Sequence, residues 1–172
     1  MLHRIAEIDA TVRHCVDEFD FHTLWIELHN FCANDLSAFY FDIRKDALYC
    51  DHSDAMRRRA CRTVLDRLFD ALVTWLAPIC CFTAEKAYLT RSFGSIEAAP
   101  EGESIHLTNY PAIPADWQNP ELAERWVRIK QVRRVILGAL EGDRAAKRIR
   151  GSLEGAPAVY VTAEQAAALS GL

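Results

Sequence analysis

From Leu2 to Phe39 the apolar residues return every three or four positions, and that spacing commits the chain to packed helices. Leu2, Ile5, Ile8, Val12, Cys15 or Val16, and Phe19 predict a first helix. Asp20 is placed to cap a second, with Phe21, Leu24, Leu28, Phe31, Cys32 and Leu36 on one face. A connector of aromatic, acidic and basic residues follows, Tyr40 to Ser53, expected to contain a short extended piece. A third helix is predicted from Ser53 or Asp54 to Leu76, with Cys61, Leu65, Leu68, Leu72 and Leu76 inward, and Ala77-Pro78 ends it.

The second half is punctuated differently. Thr83 is read as the cap of a short helix, Ala84–Arg91, with Glu85 early enough to suit the helix dipole. Residues 92–104 are rich in Gly, Ser, Ala and Pro and read as a loop or hinge. Ser104–Tyr110 alternates like a short strand, closed by Pro111 and Pro114. Asn119-Pro120-Glu121 combines a cap, a proline suited to the first helical position and an acid in the first turn. The helix it opens is predicted to reach Arg148, roughly 43 Å at 1.5 Å per residue. Ala158–Val161 reads as a second strand, and Thr162-Ala-Glu-Gln165 as a capping box opening a last helix that stops at Leu172. Both ends read as falling inside elements. The expected division is a helical core (1–91), a loop and short strand (92–119), a long helix of the same domain (120–150) and the start of a following segment (151–172).

The net charge is −4, so no general basic field draws this chain to nucleic acid. RNA contact would have to come from local clusters of arginine and lysine. No apolar run approaches the roughly 18 residues of a membrane span, and the charged N-terminal stretch does not look like a secretory signal. The expectation is therefore no membrane partner. The six cysteines form no Cys-x-x-Cys pair, and Cys80 and Cys81 are adjacent. They suit a reducing compartment, so a cytoplasmic location is expected. His29, Cys32, Cys50 and His52 could in principle bind zinc, but the Cys32 position belongs to an apolar face, and no metal site is assigned. A cysteine nucleophile, Cys15 with His14 or His22 as base, is set aside because nothing marks a strained turn or an oxyanion loop there.

The run Leu36-Ser-Ala-Phe-Tyr-Phe-Asp-Ile-Arg-Lys-Asp-Ala-Leu-Tyr49 resembles a segment at the start of the anticodon-binding helical domain of isoleucyl-tRNA synthetases. Three further pieces are similar to the same family. They are Arg58-Arg59 through Thr63 to Trp75-Leu-Ala-Pro78 and Phe82-Thr-Ala-Glu85; Ser104-Ile-His-Leu107 with Tyr110-Pro111 and Trp117; and Trp126, Arg133, Glu141, Arg144, Lys147 and Ser152-Leu-Glu154. Together they cover most of residues 20–161. Lys86, Tyr88, Arg62 and Arg150 depart from the pattern, standing where the family commonly has Glu, Trp, Gln and Gly. The resemblance implies a mainly α fold, an anticodon-binding-type bundle of class Ia synthetases, with a short strand pair or extended segments near the C-terminal part. It implies a partner, the anticodon stem-loop of isoleucine tRNA, and contact with the rest of a synthetase chain. It also implies a parent reaction that joins isoleucine to tRNA with ATP and magnesium. The His-x-Gly-His and Lys-Met-Ser-Lys-Ser motifs are absent here, so no catalytic residue and no cofactor is assigned to this chain. A monomer is expected. Domains of valyl or leucyl type, or a helical adaptor that binds protein, remain open alternatives.

Nine residues are the candidates for holding RNA. Arg58, Arg59 and Arg62 crowd the first turns of the third helix together with Arg57, where cations oppose the helix dipole. Pairs Asp54–Arg58 and Arg62–Asp66 are possible at i,i+4. Arg44 and Lys45 lie among Tyr40, Phe41 and Tyr49, a mixture suited to stacking on unpaired bases, but the aromatics are expected mainly in the core, so that only one or two could stack. On the long helix Leu122, Trp126, Ile129, Ile136 and Leu140 form a stripe with Arg133 in its middle. Arg144 and Lys147 continue that stripe, and Arg148 and Arg150 follow.

Overall fold

The computed structural model describes residues 1–171, with Leu153 described by its backbone alone, and it is mainly α. Leu172, where the last helix was expected to stop, lies outside the described residues. The chain forms two compact units, Met1–Gln118 and the residues from Asn119 onward.

In the first unit α1 (Leu2–Asp17) buries Ile5, Ile8, Val12 and Cys15. Its end is a left-handed turn on Phe19 (φ 57°), where the Phe19 amide donates to the Val16 carbonyl and the Asp20 amide to the Cys15 carbonyl. Those are the two bonds of a Schellman ending. Asp20 then caps α2 (Phe21–Asn30), accepting from the Thr23 amide, so one residue closes one helix and opens the next. Phe19 and Phe21 do not join the core as their spacing suggested. The reversal between the helices turns both outward, Phe19 to 79% exposure, with their rings edge to face.

α2 runs without a break into a π-helical stretch, Phe31–Phe41, and on into α3 (Asp42–Tyr49). The extended piece expected in the connector is therefore helix. Wider winding, with i to i+5 hydrogen bonds, explains why the buried residues fall at Phe31, Leu36 and Tyr40, five and then four apart. A period of 3.6 points to Phe39 instead. Tyr40 takes that place, with its hydroxyl 3.9 Å from the Cys61 sulfur. Burial pushes the Tyr40 hydroxyl well above the ordinary phenol range, and the Cys61 thiol adds to it.

α4 (Met56–Leu76) starts two to three residues later than predicted and buries Cys61, Leu68, Ala71, Val73 and Trp75; Leu65, Leu72 and Leu76 are half-buried. Trp75 is at the centre of the unit. Its indole N–H donates to Asp9 Oδ1 at 3.3 Å, and Asp9 Oδ2 accepts from Arg13 Nε at 2.8 Å. Arg13 also donates to the Pro111 carbonyl and lies over the Tyr110 ring. A single buried carboxylate thus ties α1, α4 and the 110–113 segment together.

α5 (Cys81–Phe93) begins two residues before Thr83, which caps nothing, because Cys80 is the residue at the helix start. Glu85 has a more specific role than dipole matching: Oε2 accepts from the Ser104 hydroxyl and from the Ile105 amide. That bond seats Ile105 against Val73, Ala77 and Ala84. Ile105–Leu107 and Ala115–Trp117 are single 3-10 turns. Among the described residues there is no strand. Neither Ser104–Tyr110 nor Ala158–Val161 forms one, since no neighbouring segment supplies a ladder.

In the second unit Asn119 caps α6 (Pro120–Ala145), accepting from the Leu122 amide, with Pro120 at the first helical position. α6 stops three residues short of Arg148. Its buried positions are Ile129, Val132 and Leu140, while Leu122 is exposed and Trp126, Arg133 and Ile136 are half-buried, so the inward stripe lies toward Val132. Thr162 and Gln165 make the expected capping box of α7 (Ala163–Leu169). α7 is held to α6 by Arg125, which donates to the Ala168 and Ser170 carbonyls, and by Arg128 with Glu164.

Candidate nucleic-acid interface

The first basic cluster stands at the start of α4. Ala55 occupies the cap position and offers no side-chain bond, so this helix end lacks the usual anionic support. Asp51 supplies it from outside, taking Arg57 in a two-pronged pair at 2.7 and 2.6 Å. The hydrogen bond from Arg57, with the charges of Arg57 and Arg58, holds the Asp51 carboxyl below its usual range. Arg58 donates to the Asp51 carbonyl at 2.8 Å. Neither i,i+4 pair expected from the sequence forms. Asp54 stays beside Ser53 and His52, and Asp66 is taken by Arg91 at 2.6 Å. The loop before α4 and the α5 face simply offer better-placed partners.

That leaves Arg59 and Arg62 exposed, with no carboxylate in ion-pair range among the described residues. Nearby, Lys45 pairs with Asp42 at 3.0 Å, and Arg44 is half-buried one turn beyond Tyr40. The Nε groups of Arg44 and Arg58 are buried without a hydrogen-bond acceptor. Of the aromatics around them Tyr40 is core, while Tyr49 is 84% and Phe41 43% exposed. Only the last two have faces open for stacking.

The second cluster closes α6. Lys147 sits in the left-handed region (φ 56°), its amide donating to the Arg144 carbonyl and the Arg148 amide to the Asp143 carbonyl. This is again a Schellman ending, built on a lysine where glycine is usual. The left-handed residue is Lys147, and not Arg150, which stands where the family commonly has Gly. The side chains of Arg148 and Asp143 pair across the same two positions. Arg144 is paired with Glu141 and donates to the Ser152 hydroxyl at 2.7 Å, while Glu154 accepts from the Arg150 amide at 2.8 Å. The 3-10 turn Ser152–Glu154 is thereby drawn back to the helix, and a Cβ on Gly155 would stand only 2.5 Å from Leu140 Cδ2.

The result is a shallow groove of about 680 Å³ lined by Glu141, Arg144, Ala145, Lys147, Ile149 and Arg150. Three of the four basic residues expected at this end line it. Arg148 does not, because Asp143 holds it. The sequence did not reveal which cations are open: Lys147 and Arg150 are exposed and have no carboxylate partner among the described residues.

No three His, Cys, Asp or Glu side chains converge to hold a metal ion among the described residues. Burial pushes the Cys15 thiol up, with the charges of Asp20 and Glu27 adding to it, the reverse of what a nucleophile requires. No described helix is long and apolar enough to cross a membrane.

The profile of one family, anticodon-binding domain of tRNA ligase, matches residues 1–159. The chain belongs to that family. This anticodon-binding domain is 49% identical over 172 residues to the isoleucine–tRNA ligase of Agrobacterium fabrum, covering 99% of the chain and 17% of the relative. It is 50% identical over 161 residues to that of Mesorhizobium japonicum and 47% over 162 to that of Bartonella henselae, in each case 94% of the chain and 16% of the relative. The chain therefore spans about a sixth of the length of these relatives. The four segments that carried the resemblance in the sequence fall within the matched residues.

Proposed function

We propose that this anticodon-binding domain grips the anticodon stem-loop of isoleucine tRNA as part of an isoleucine–tRNA ligase. The observation that carries this is near-complete coverage of the chain by relatives bearing that name at close to half identity. Two separate sets of exposed, carboxylate-free cations support it: Arg59 and Arg62 on α4, and Lys147 and Arg150 beside α6. They give an acidic chain the local positive surface that RNA requires. Arg44, Lys45, Arg58, Arg144 and Arg148 then shape and orient these surfaces more than they contact phosphate, since each is half-buried or held by its own protein. Phe41 and Tyr49, exposed beside Arg44 and Lys45, are the bases' stacking partners.

In this reading the chemistry that joins isoleucine to tRNA, and its ATP and magnesium, belong to other parts of a cytoplasmic, monomeric enzyme. Filter binding of the chain to the isoleucine anticodon stem-loop, beside those of valine and leucine tRNAs, tests it. A preference for the isoleucine hairpin is the expected result. Preference for another hairpin would move the domain to a sister enzyme, and binding to none would favour the protein adaptor.

A further inference from the structure

We propose that the groove at the end of α6 is a phosphate seat for the RNA backbone, and that Lys147 is kept in a left-handed conformation to serve it. This rests on the anticodon reading and assigns one site within it. A lysine at φ 56° strains against its own Cβ, where a glycine would not. The ending needs the conformation and not the side chain, because both of its hydrogen bonds come from backbone amides. The side chain of Lys147 lines the groove and meets no carboxylate among the described residues. Strain held at a residue that adds nothing to the turn points to a use for its side chain.

The rest of the groove agrees in charge. Arg144, Lys147 and Arg150 face one carboxylate, Glu141, and Glu141 is already occupied by Arg144. The lining therefore carries three cations against one anion. Arg144 is fixed from two sides, by Glu141 and by Ser152, and Glu154 takes the Arg150 amide while leaving its guanidinium open. Arg144 thus frames the groove while Lys147 and Arg150 are its open donors, with Ala145 and Ile149 as the apolar part of the lining. A phosphodiester group fits that chemistry, and no base-reading group lines the groove, so the seat should be indifferent to sequence. The bland alternative is that the cations merely answer the negative end of the helix dipole. On that view Lys147 loses nothing essential when its charge is removed.

The test uses the full chain, an isoleucine anticodon hairpin and an unrelated hairpin of equal length. Lys147→Gly should raise Tm by about 2 °C and weaken both hairpins alike, about threefold or more at low salt. It should also flatten the slope of log affinity against log salt by about 0.7–0.9. Lys147→Gln, which keeps the strain, should show the same loss of affinity without the gain in Tm. Unchanged affinity and slope in both variants would overturn the proposal even if the wild type prefers the isoleucine hairpin. The expected losses in both variants, with a wild type that shows no such preference, would leave the seat standing and remove the anticodon reading.

Discussion

Asp9 is the one buried charged side chain among the described residues, and it satisfies two donors, Trp75 from α4 and Arg13 one turn along its own helix. Removing it would leave the Trp75 indole N–H inside the core with no acceptor. Asp9→Ala should therefore cost about 2–3 kcal/mol, most of it from that stranded donor, because Arg13 is exposed enough to find water. Asp9→Asn keeps an acceptor for Trp75 and should cost about 1 kcal/mol. Urea unfolding followed by tryptophan fluorescence separates the two; equal losses would mean the ion pair, not the indole bond, is what matters. A second carboxylate gives a pH signature. Asp51 is held below the ordinary aspartate range of about 3.9 by the Arg57 hydrogen bond and the nearby arginine charges. A folded value below the unfolded one means the pair's contribution is in place above about pH 3.9 and fades as pH falls through the lower folded value. Following the Asp51 carboxyl carbon by NMR should show a midpoint below that of a free aspartate, and Arg57→Ala should return it toward normal.

At the scale of elements, two helices end on left-handed residues that are not glycine, Phe19 and Lys147. Lys147 lines a groove, whereas Phe19 is 79% exposed and touches Phe21 edge to face. Phe19→Gly should relax the backbone and stabilise the chain by about 1 kcal/mol, less whatever the ring contact supplies. A lower Tm in that variant would show that the aromatic contact outweighs the strain. These turns also mark where the sequence stopped being readable. Apolar spacing and caps at Asp20, Asn119 and Thr162 carried most of the helical order, because those signals are local and each residue type has one preferred place. Phe19 and Phe21 were misplaced because apolar spacing says nothing about where a chain reverses. Tyr40 is buried and Phe39 only half-buried, because the 3.6-residue pattern does not hold through a π segment. The short strands failed for a different reason: alternation proposes a strand, but only a neighbour can pair with it. In the candidate site, the clusters of cations were legible and their partners were not. Asp51, Asp66 and Asp143 each chose an arginine six, twenty-five and five residues away, beyond any helical rule.

For the whole molecule the question is how a chain of net charge −4 holds a polyanion. Long-range attraction is not available, so association must rest on contacts close enough to displace counterions, and their number sets the salt dependence. Half of the chain's sixteen arginines already sit on carboxylates, namely Arg4, Arg13, Arg57, Arg67, Arg91, Arg128, Arg144 and Arg148, and Arg44, Arg58 and Arg125 are half-buried. Few cations remain to meet phosphate, and the slope of log affinity against log salt should be correspondingly small. Arg59 and Arg62 are two of them, exposed and unopposed one turn apart on α4. Replacing both with alanine should flatten the slope by about 1.4–1.8 units, the sum of two contacts. Neither residue packs in the core, so the fold should be unchanged by circular dichroism and thermal unfolding. Replacing Arg57 instead should leave the slope nearly as it was, since its charge is already spent on Asp51. If Arg57→Ala flattens the slope as much as the double replacement does, then RNA breaks the Asp51 pair on binding, and the paired arginines would have to be counted among the RNA contacts after all.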